Sequence, residues 1–285
     1  CFDIAWLRAV LPTLKPHAHK AEIYLTDTVE RAALEGRCRV MVHGDIGEVL
    51  GVNDRYELAS ARTALQARVI EQHGRNGVDF VDPNNVVVEC DVEIAADVTI
   101  GTGCVLRGKT RIGHGSHIGS HCELMDADVA SDVEIHSFSM LESATVQQGA
   151  SVGPYARLRP ESVVGERARV GNFVEMKKSS LGPGAKANHL TYLGDATVGA
   201  DANIGAGTIT CNYDGFSKSR TEIGLGAFIG SNSALVAPVS IGKGAIVGAG
   251  SVITKNVPDD AVSIARGSQS NLEGAAARFR ARKKK

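Results

Sequence analysis

A six-residue rhythm runs through most of this chain. Mostly aliphatic residues recur as Val88, Ile94, Ile100, Leu106, Ile112, Ile118 and Leu124, then, after a one-residue slip, as Val129, Ile135 and Leu141. A further slip leads to Val146, Val152, Leu158, Val164, Val170 and Met176. Later ones lead to Leu181, Ala187, Leu193 and to Val198, Ile204, Thr210. Beyond an interruption the rhythm resumes as Ile223, Ile229, Leu235, Ile241, Val247 and Ile253. A period of six fits neither the 3.6 of a helix nor the 2 of an alternating strand. It predicts a parallel β-helix in which each hexad supplies one short strand and one turn, and three hexads, roughly 18 residues, make one triangular coil. Coils then stack at strand spacing, about 4.8 Å. The aliphatic residue of each hexad points into a narrow prism. This accounts for an unusual composition, with aromatics at only 5% and 32 glycines in 285 residues.

Hydrophobic residues at 43% and charged residues at 22% describe a globular chain rather than a disordered one. A net charge of -1 and a sequence pI of about 6.8 argue against a global field for nucleic acid or a membrane surface, so neither is an expected partner. Apolar runs such as Val86-Val87-Val88 are far shorter than a membrane helix needs. The six cysteines contain no CxxC pair, which suits reduced thiols and a cytoplasmic setting. The chain begins at Cys1 without Met and without a secretory leader, so it is expected to start inside a longer protein.

Residues 1–53 differ from the repeat. They mix a strand-like stretch, Arg39-Val40-Met41-Val42, with helical ones, and predict a small α/β module. A linker helix is expected over 54–75. Asp54 and Glu57 have capping-box spacing, Leu58, Ala61, Leu65 and Val69 recur at helical spacing, and Gly74 stands as the stop. The β-helix domain is assigned to 76–270 and a basic tail to 271–285, whose end, 278–285, is expected to be disordered.

Coil arithmetic locates a candidate site. Leu158, Met176, Leu193 and Thr210 lie about one coil apart, and a shortened step across the interruption continues the series at Ile229, Val247 and Ala265. One edge would then carry Arg159, Lys177, Tyr192, the insertion 211–218, Ser231, Ala249 and Arg266. Arg159 and Lys177 hold the same phase on adjacent coils. Two cations at that spacing repel unless an anion sits between them, and a phosphate fits. His189 lies on the next coil, and a histidine can take up a proton near neutral pH. The blander alternatives are solvated surface charges and a histidine that merely bonds a neighbour. His114, His117 and His121 differ in hexad phase and face different ways, which speaks against a shared metal.

At these residues a resemblance becomes specific. RLRP (157–160), GNFVEMKK (171–178), HLTYLGDA (189–196) and NIGAGTITCNYDG (203–215) resemble the bacterial bifunctional enzymes that join glucosamine-1-phosphate N-acetyltransferase to N-acetylglucosamine-1-phosphate uridyltransferase. EIYLTD (22–27) and GVNDR (51–55) resemble the end of their uridyltransferase domain. The resemblance implies a left-handed winding and acetyl transfer from acetyl-CoA to glucosamine 1-phosphate. The setting it implies is the cytoplasmic synthesis of UDP-N-acetylglucosamine for cell wall and lipopolysaccharide, in a homotrimer with sites between subunits. It implies His189 as general base, and Arg159, Lys177, Tyr192, Asn203 and Glu175 around the sugar phosphate. Ala206, Asn212, Tyr213, Ser231, Ala249 and Arg266 would contact acetyl-CoA. Cys211 reads as packing rather than as a nucleophile.

The same resemblance points to uridyl transfer, which needs a glycine-rich nucleotide loop and an Asp for Mg²⁺. Neither lies in these 285 residues. Asn53 corresponds to one Mg²⁺ ligand, and one ligand makes no site. The chain is therefore expected to retain acetyl transfer and to lack uridyl transfer; turnover with UTP and Mg²⁺ would refute this. Rival readings are an acyltransferase of this scaffold with another acceptor, a metal-dependent hydratase, which needs converging histidines, and an ice-binding β-helix, which needs flat rows of Thr or Ser.

Overall fold

The computed structural model describes residues 1–17, 21–42, 44 and 46–283. The chain divides into two compact units, Cys1–Ala61 and Arg62–Lys285. In the first, helix α1 (Ile4–Val10) is capped by Asp3, whose carboxylate accepts from the N–H of Trp6. Helix α2 (Asp27–Leu34) follows. The stretch Arg39–Val42 is not the expected strand. The described residues of this unit contain no strand at all, so Val40, Met41 and Val42 stay exposed without a neighbouring edge to pair with.

Helix α3 (Arg55–Arg75) starts as its sequence predicts. Asp54 Oδ1 accepts from the Glu57 N–H at 2.8 Å, while Glu57 Oε2 accepts from the backbone N–H of Asn53 at 2.6 Å and from its side-chain amide. The Asn53 N–H, more than the amide, holds the Glu57 carboxyl below the usual carboxylate range. This cap therefore contributes at neutral pH and is lost as pH falls through that lowered value. Gly74 does not end the helix. The stop is Gly77, at φ +95°, where Val78 N–H bonds His73 C=O and Gly77 N–H bonds Gly74 C=O. That pair of bonds closes a Schellman turn, and the apolar residue after the turn, Val78, is buried.

The second unit is a parallel β-solenoid of about ten turns, the left-handed β-helix that the hexads and the resemblance imply. Every aliphatic position of the hexad series is buried, Val88 and Ile253 included, as is Thr210. The strands form three walls. Wall A has eleven strands from Asp79–Phe80 to Val262–Ser263, wall B ten from Val87–Val88 to Val252–Ile253, and wall C nine from Glu93–Ile94 to Val239–Ile241. The chain passes A, B, C in each coil, so three edges result. Rings are kept outside this thin core: His121, Phe138, Tyr155 and Phe173 stack along the edge between walls A and B, with centroids 5.0–5.4 Å apart.

A first coil would leave an unpaired strand edge, which proteins cover. Here Gln66 of α3 does so, its amide donating to Val88 C=O at 2.6 Å and accepting from Val88 N–H at 2.9 Å. Gln66→Ala removes both bonds and should destabilise the solenoid by about 1–3 kcal/mol. Native-state hydrogen exchange at the Val88 amide reads this directly, and unchanged protection there would sink the assignment.

Two further expectations need correction. The tail is not disordered: Ala275–Lys283 forms helix α4, exposed from Ala276 onward, because a run of Ala and Arg has high helix propensity. Lys284 and Lys285 lie outside the described residues. The single edge drawn across the interruption is also wrong. Thr210 pairs in register with Leu235, and Leu235 with Ile253, on wall B. Ile229 and Val247 instead continue Ile204 on wall A. The physical reason is that 212–219 leaves the coil as a hairpin, bridged at Tyr213 and Lys218 and closed by Ser219 N–H on Asn212 C=O. These residues add to the coil rather than replace wall residues.

Candidate active site

The residues expected on one edge occupy two. Arg159 and Lys177 stand at the edge between walls B and C. Lys177 ends the strand Glu175–Lys177, and Leu158 pairs with Met176, which sets Arg159 beside Lys177 on the neighbouring coil. Arg159 Nη1 lies 2.9 Å from Glu175 Oε1, both side chains about a third exposed at 33% and 36%. A third cation reaches the same place. Lys218, from the hairpin, lies against Lys177 and lowers its pKa from the ordinary lysine value, first through close contact and then through charge; Arg159 adds to this and Asp195 opposes it. Three cations held together in this way favour a polyvalent anion between them.

The sequence placed Lys218 on this edge only as the end of the insertion 211–218 and gave it no role. It lies on a hairpin out of hexad phase, so its register gave no signal; its membership in the one interruption of the repeat was the available clue. The hairpin is well tied. Asp214 accepts from the N–H groups of Ser217 and Phe216, which hold its carboxyl below the usual range. Tyr213 donates to Gly215 C=O, and Asn212 donates from its amide to Asp195. Asn212 and Tyr213 thus belong to the cationic edge.

Tyr192 is not at the edge. It precedes the core residue Leu193 and faces outward from wall B, in register with Glu175. Its ring folds toward Gly194, where an added Cβ would come within 2.5–2.7 Å of the phenol. Gly194 is the register partner of Lys177, so the glycine lets the phenol lean toward the cations.

The other set lines the edge between walls A and B. His189 ends the strand Lys186–His189, and its Nδ1 lies 2.7 Å from Asn172 Oδ1 on the coil before. Bonds between the turns of successive coils, from Asn232 N–H to Ala206 C=O and from Gly250 N–H to Ser231 C=O, continue the column above His189. Arg266 closes it by donating to Ala249 C=O at 2.7 Å. Ala206, Ser231 and Ala249 are all small, so they leave a shallow track that runs from the imidazole to a guanidinium. Exposed Ile209 and Val252 flank the track on wall B, and Phe228 and Ile246 on wall A. Asn203 faces outward from wall A, in register with Lys186 and Phe228.

The histidines at 114, 117 and 121 take separate roles. His114 bonds Ala96 C=O, His121 stacks on Phe138, and His117 faces outward from wall A. Among the described residues no group of three or more His, Cys, Asp or Glu is placed to hold a metal ion. Asn53 spends its amide on Glu57 and has no such cluster around it among the described residues, which therefore do not fit an Mg²⁺ site. No helix among the described residues is long and apolar enough to cross a membrane.

Comparisons place the chain among known proteins. Residues 220–255 match the family model for the hexapeptide repeat of succinyl-transferase. The bifunctional protein GlmU of Pseudoalteromonas atlantica is 51% identical over 94% of this chain and 59% of its own length. That of Nitratidesulfovibrio vulgaris strain DP4 is 52% identical over 93% and 59%. Among solved structures, the UDP-N-acetylglucosamine acyltransferase of Campylobacter jejuni aligns with 69% of this chain and 76% of its own, at 16% identity and a TM-score of 0.43. The chain spans 59% of the length of the first two relatives, and over that span it is similar to the bifunctional GlmU proteins.

Proposed function

We propose that this chain transfers acetyl from acetyl-CoA to the 2-amine of glucosamine 1-phosphate, a step in UDP-N-acetylglucosamine synthesis. The observation that carries the reading is the convergence of Arg159, Lys177 and Lys218, beside Glu175 and Asp195. Such a cluster suits a phosphate dianion. Tyr192 and Asn203 contact the sugar. Acetyl-CoA lies along Ala206, Ser231 and Ala249, with Arg266 toward its phosphates and Asn212 and Tyr213 beside it. A thin, partly apolar pantetheine arm suits a track of small residues between exposed apolar side chains.

The amine attacks the thioester carbonyl carbon. His189 takes the amine proton as the C–N bond forms, and a backbone N–H near Ala206 stabilises the oxyanion. The C–S bond then breaks, and the proton returns to sulfur as CoA leaves. No covalent enzyme intermediate is involved.

The phosphate and the amine of this substrate sit on neighbouring ring carbons, so clamp and base must converge within a few ångström. On one chain they stand on different edges, and His189 is five residues along the coil from Gly194, the register partner of Lys177. We therefore propose a homotrimer in which the His189 edge of one copy faces the cationic edge of the next. Residues 1–53 are proposed as the end of a uridyltransferase domain, with 54–75 as linker and 76–270 as the acetyltransferase domain. An acceptor screen with acetyl-CoA, read as released thiol, tests the reading. Turnover should require both the amine and the 1-phosphate. Equal rates with glucosamine, or preference for an unphosphorylated amine or hydroxyl, would overturn it in favour of another acyltransferase of this scaffold.

A further inference from the structure

We infer that Asn172 is the positioning residue of His189: it fixes the proton of the imidazole on Nδ1 and leaves Nε2 as the basic atom. The inference rests on the reading of His189 as the base. Three features of the backbone single out this pair. Most strands of wall A are two residues long, whereas Arg169–Asn172 and Lys186–His189 are four. Their ladder runs past the core residues Val170 and Ala187, and it ends with Asn172 and His189 in register. Between them Gly171 is obligatory, since a Cβ there would lie 1.9 Å from the carbonyl oxygen of Asn188. The two coils thus approach closely just where the side chains meet, and Asn172 Oδ1 sits 2.7 Å from His189 Nδ1.

An amide oxygen only accepts, so at this distance the ring nitrogen facing it carries the hydrogen. The neutral imidazole then has its lone pair on Nε2. A carboxylate in the same place would favour the charged ring; an amide fixes the tautomer without adding charge. The charged side chains on the elements packed here are Arg169 and Lys186, in register with each other three residues before this pair. The next strand of the wall, Asn203–Ile204, adds none.

The test uses the full chain, with ¹⁵N NMR of the His189 ring nitrogens. The wild type should show Nδ1 protonated and Nε2 unprotonated in the neutral ring. Asn172→Ala should shift population toward the other tautomer and lower kcat by about 10–100-fold, with KM for glucosamine 1-phosphate changed less than about threefold. Asn172→Asp, nearly isosteric, restores an acceptor and should recover kcat while moving the acid limb of kcat/KM up by about one pH unit. Added to His189→Ala, Asn172→Ala should cost nothing more. A wild-type ring protonated on Nε2 would overturn the inference. So would an Asn172→Ala chain that keeps the wild-type tautomer. If the tautomer responds as stated but His189→Ala retains kcat, the positioning stands and the base assignment falls.

Discussion

His189→Ala should lower kcat for acetyl transfer by about 10²–10⁴-fold while KM for glucosamine 1-phosphate stays within a few-fold. The split follows from the two edges. The imidazole stands between walls A and B, whereas the three cations that would grip the phosphate stand between walls B and C. Removing the ring leaves the clamp untouched. It leaves the fold untouched as well, since His189 is exposed and the buried residues of its strand and the next are Ala187 and Ile204. A thermal midpoint close to wild type is therefore expected, because surface changes of this kind stay within about 0.5 kcal/mol. Lys177→Ala should show the opposite pattern, with KM for the sugar phosphate raised more than kcat is lowered. Steady-state kinetics on the two variants decides the matter. A His189→Ala chain with near-normal kcat would remove the histidine from proton transfer.

The prism was legible because burial alone sets it. A side chain that points into so narrow a core must be aliphatic or small, once per hexad, and the sequence cannot hide that rhythm. The order of coils before the interruption was legible for the same reason: Leu158, Met176, Leu193 and Thr210 form one ladder on wall B. Across 212–219 the same logic failed. A hairpin that leaves the wall obeys no hexad, so its length says nothing about how much of it counts toward the coil. A shortened step put Ser231, Ala249 and Arg266 with the cations, whereas pairing through Ile204, Ile229 and Val247 puts them above His189. For the same reason the insertion put Lys218 on the right edge without a role.

Short-range signals behaved in a similar way. Asp54 and Glu57 named the start of α3 because a cap is decided within four residues. The stop was misplaced by three residues, since Gly74 and Gly77 both look like terminators and only the positive φ of Gly77 distinguishes them. Arg39–Val42 has strand composition, but composition does not supply a partner strand.

Mixing two inactive variants gives the sharpest check on how the site is assembled. His189→Ala and Lys177→Ala, or His189→Ala and Arg159→Ala, are each expected to fall to about 1% of wild-type kcat/KM or below. Suppose the base comes from one copy and the clamp from the next around a three-fold ring. A site is then intact whenever a clamp-deficient copy lends its histidine to a base-deficient neighbour. With equal amounts and random assortment, about a quarter of the sites meet this condition. Co-expressed and purified through two different tags, the mixed assembly should therefore regain roughly a quarter of wild-type activity, at least tenfold above either variant alone. A site built within one chain predicts no gain, since every copy lacks either its base or its clamp. A chain that stays monomeric predicts none either. Silence from mixed assemblies would thus end the two-edge model, because on a single copy a phosphate held at Lys177 leaves the amine on the far side of wall B from the nitrogen meant to receive its proton.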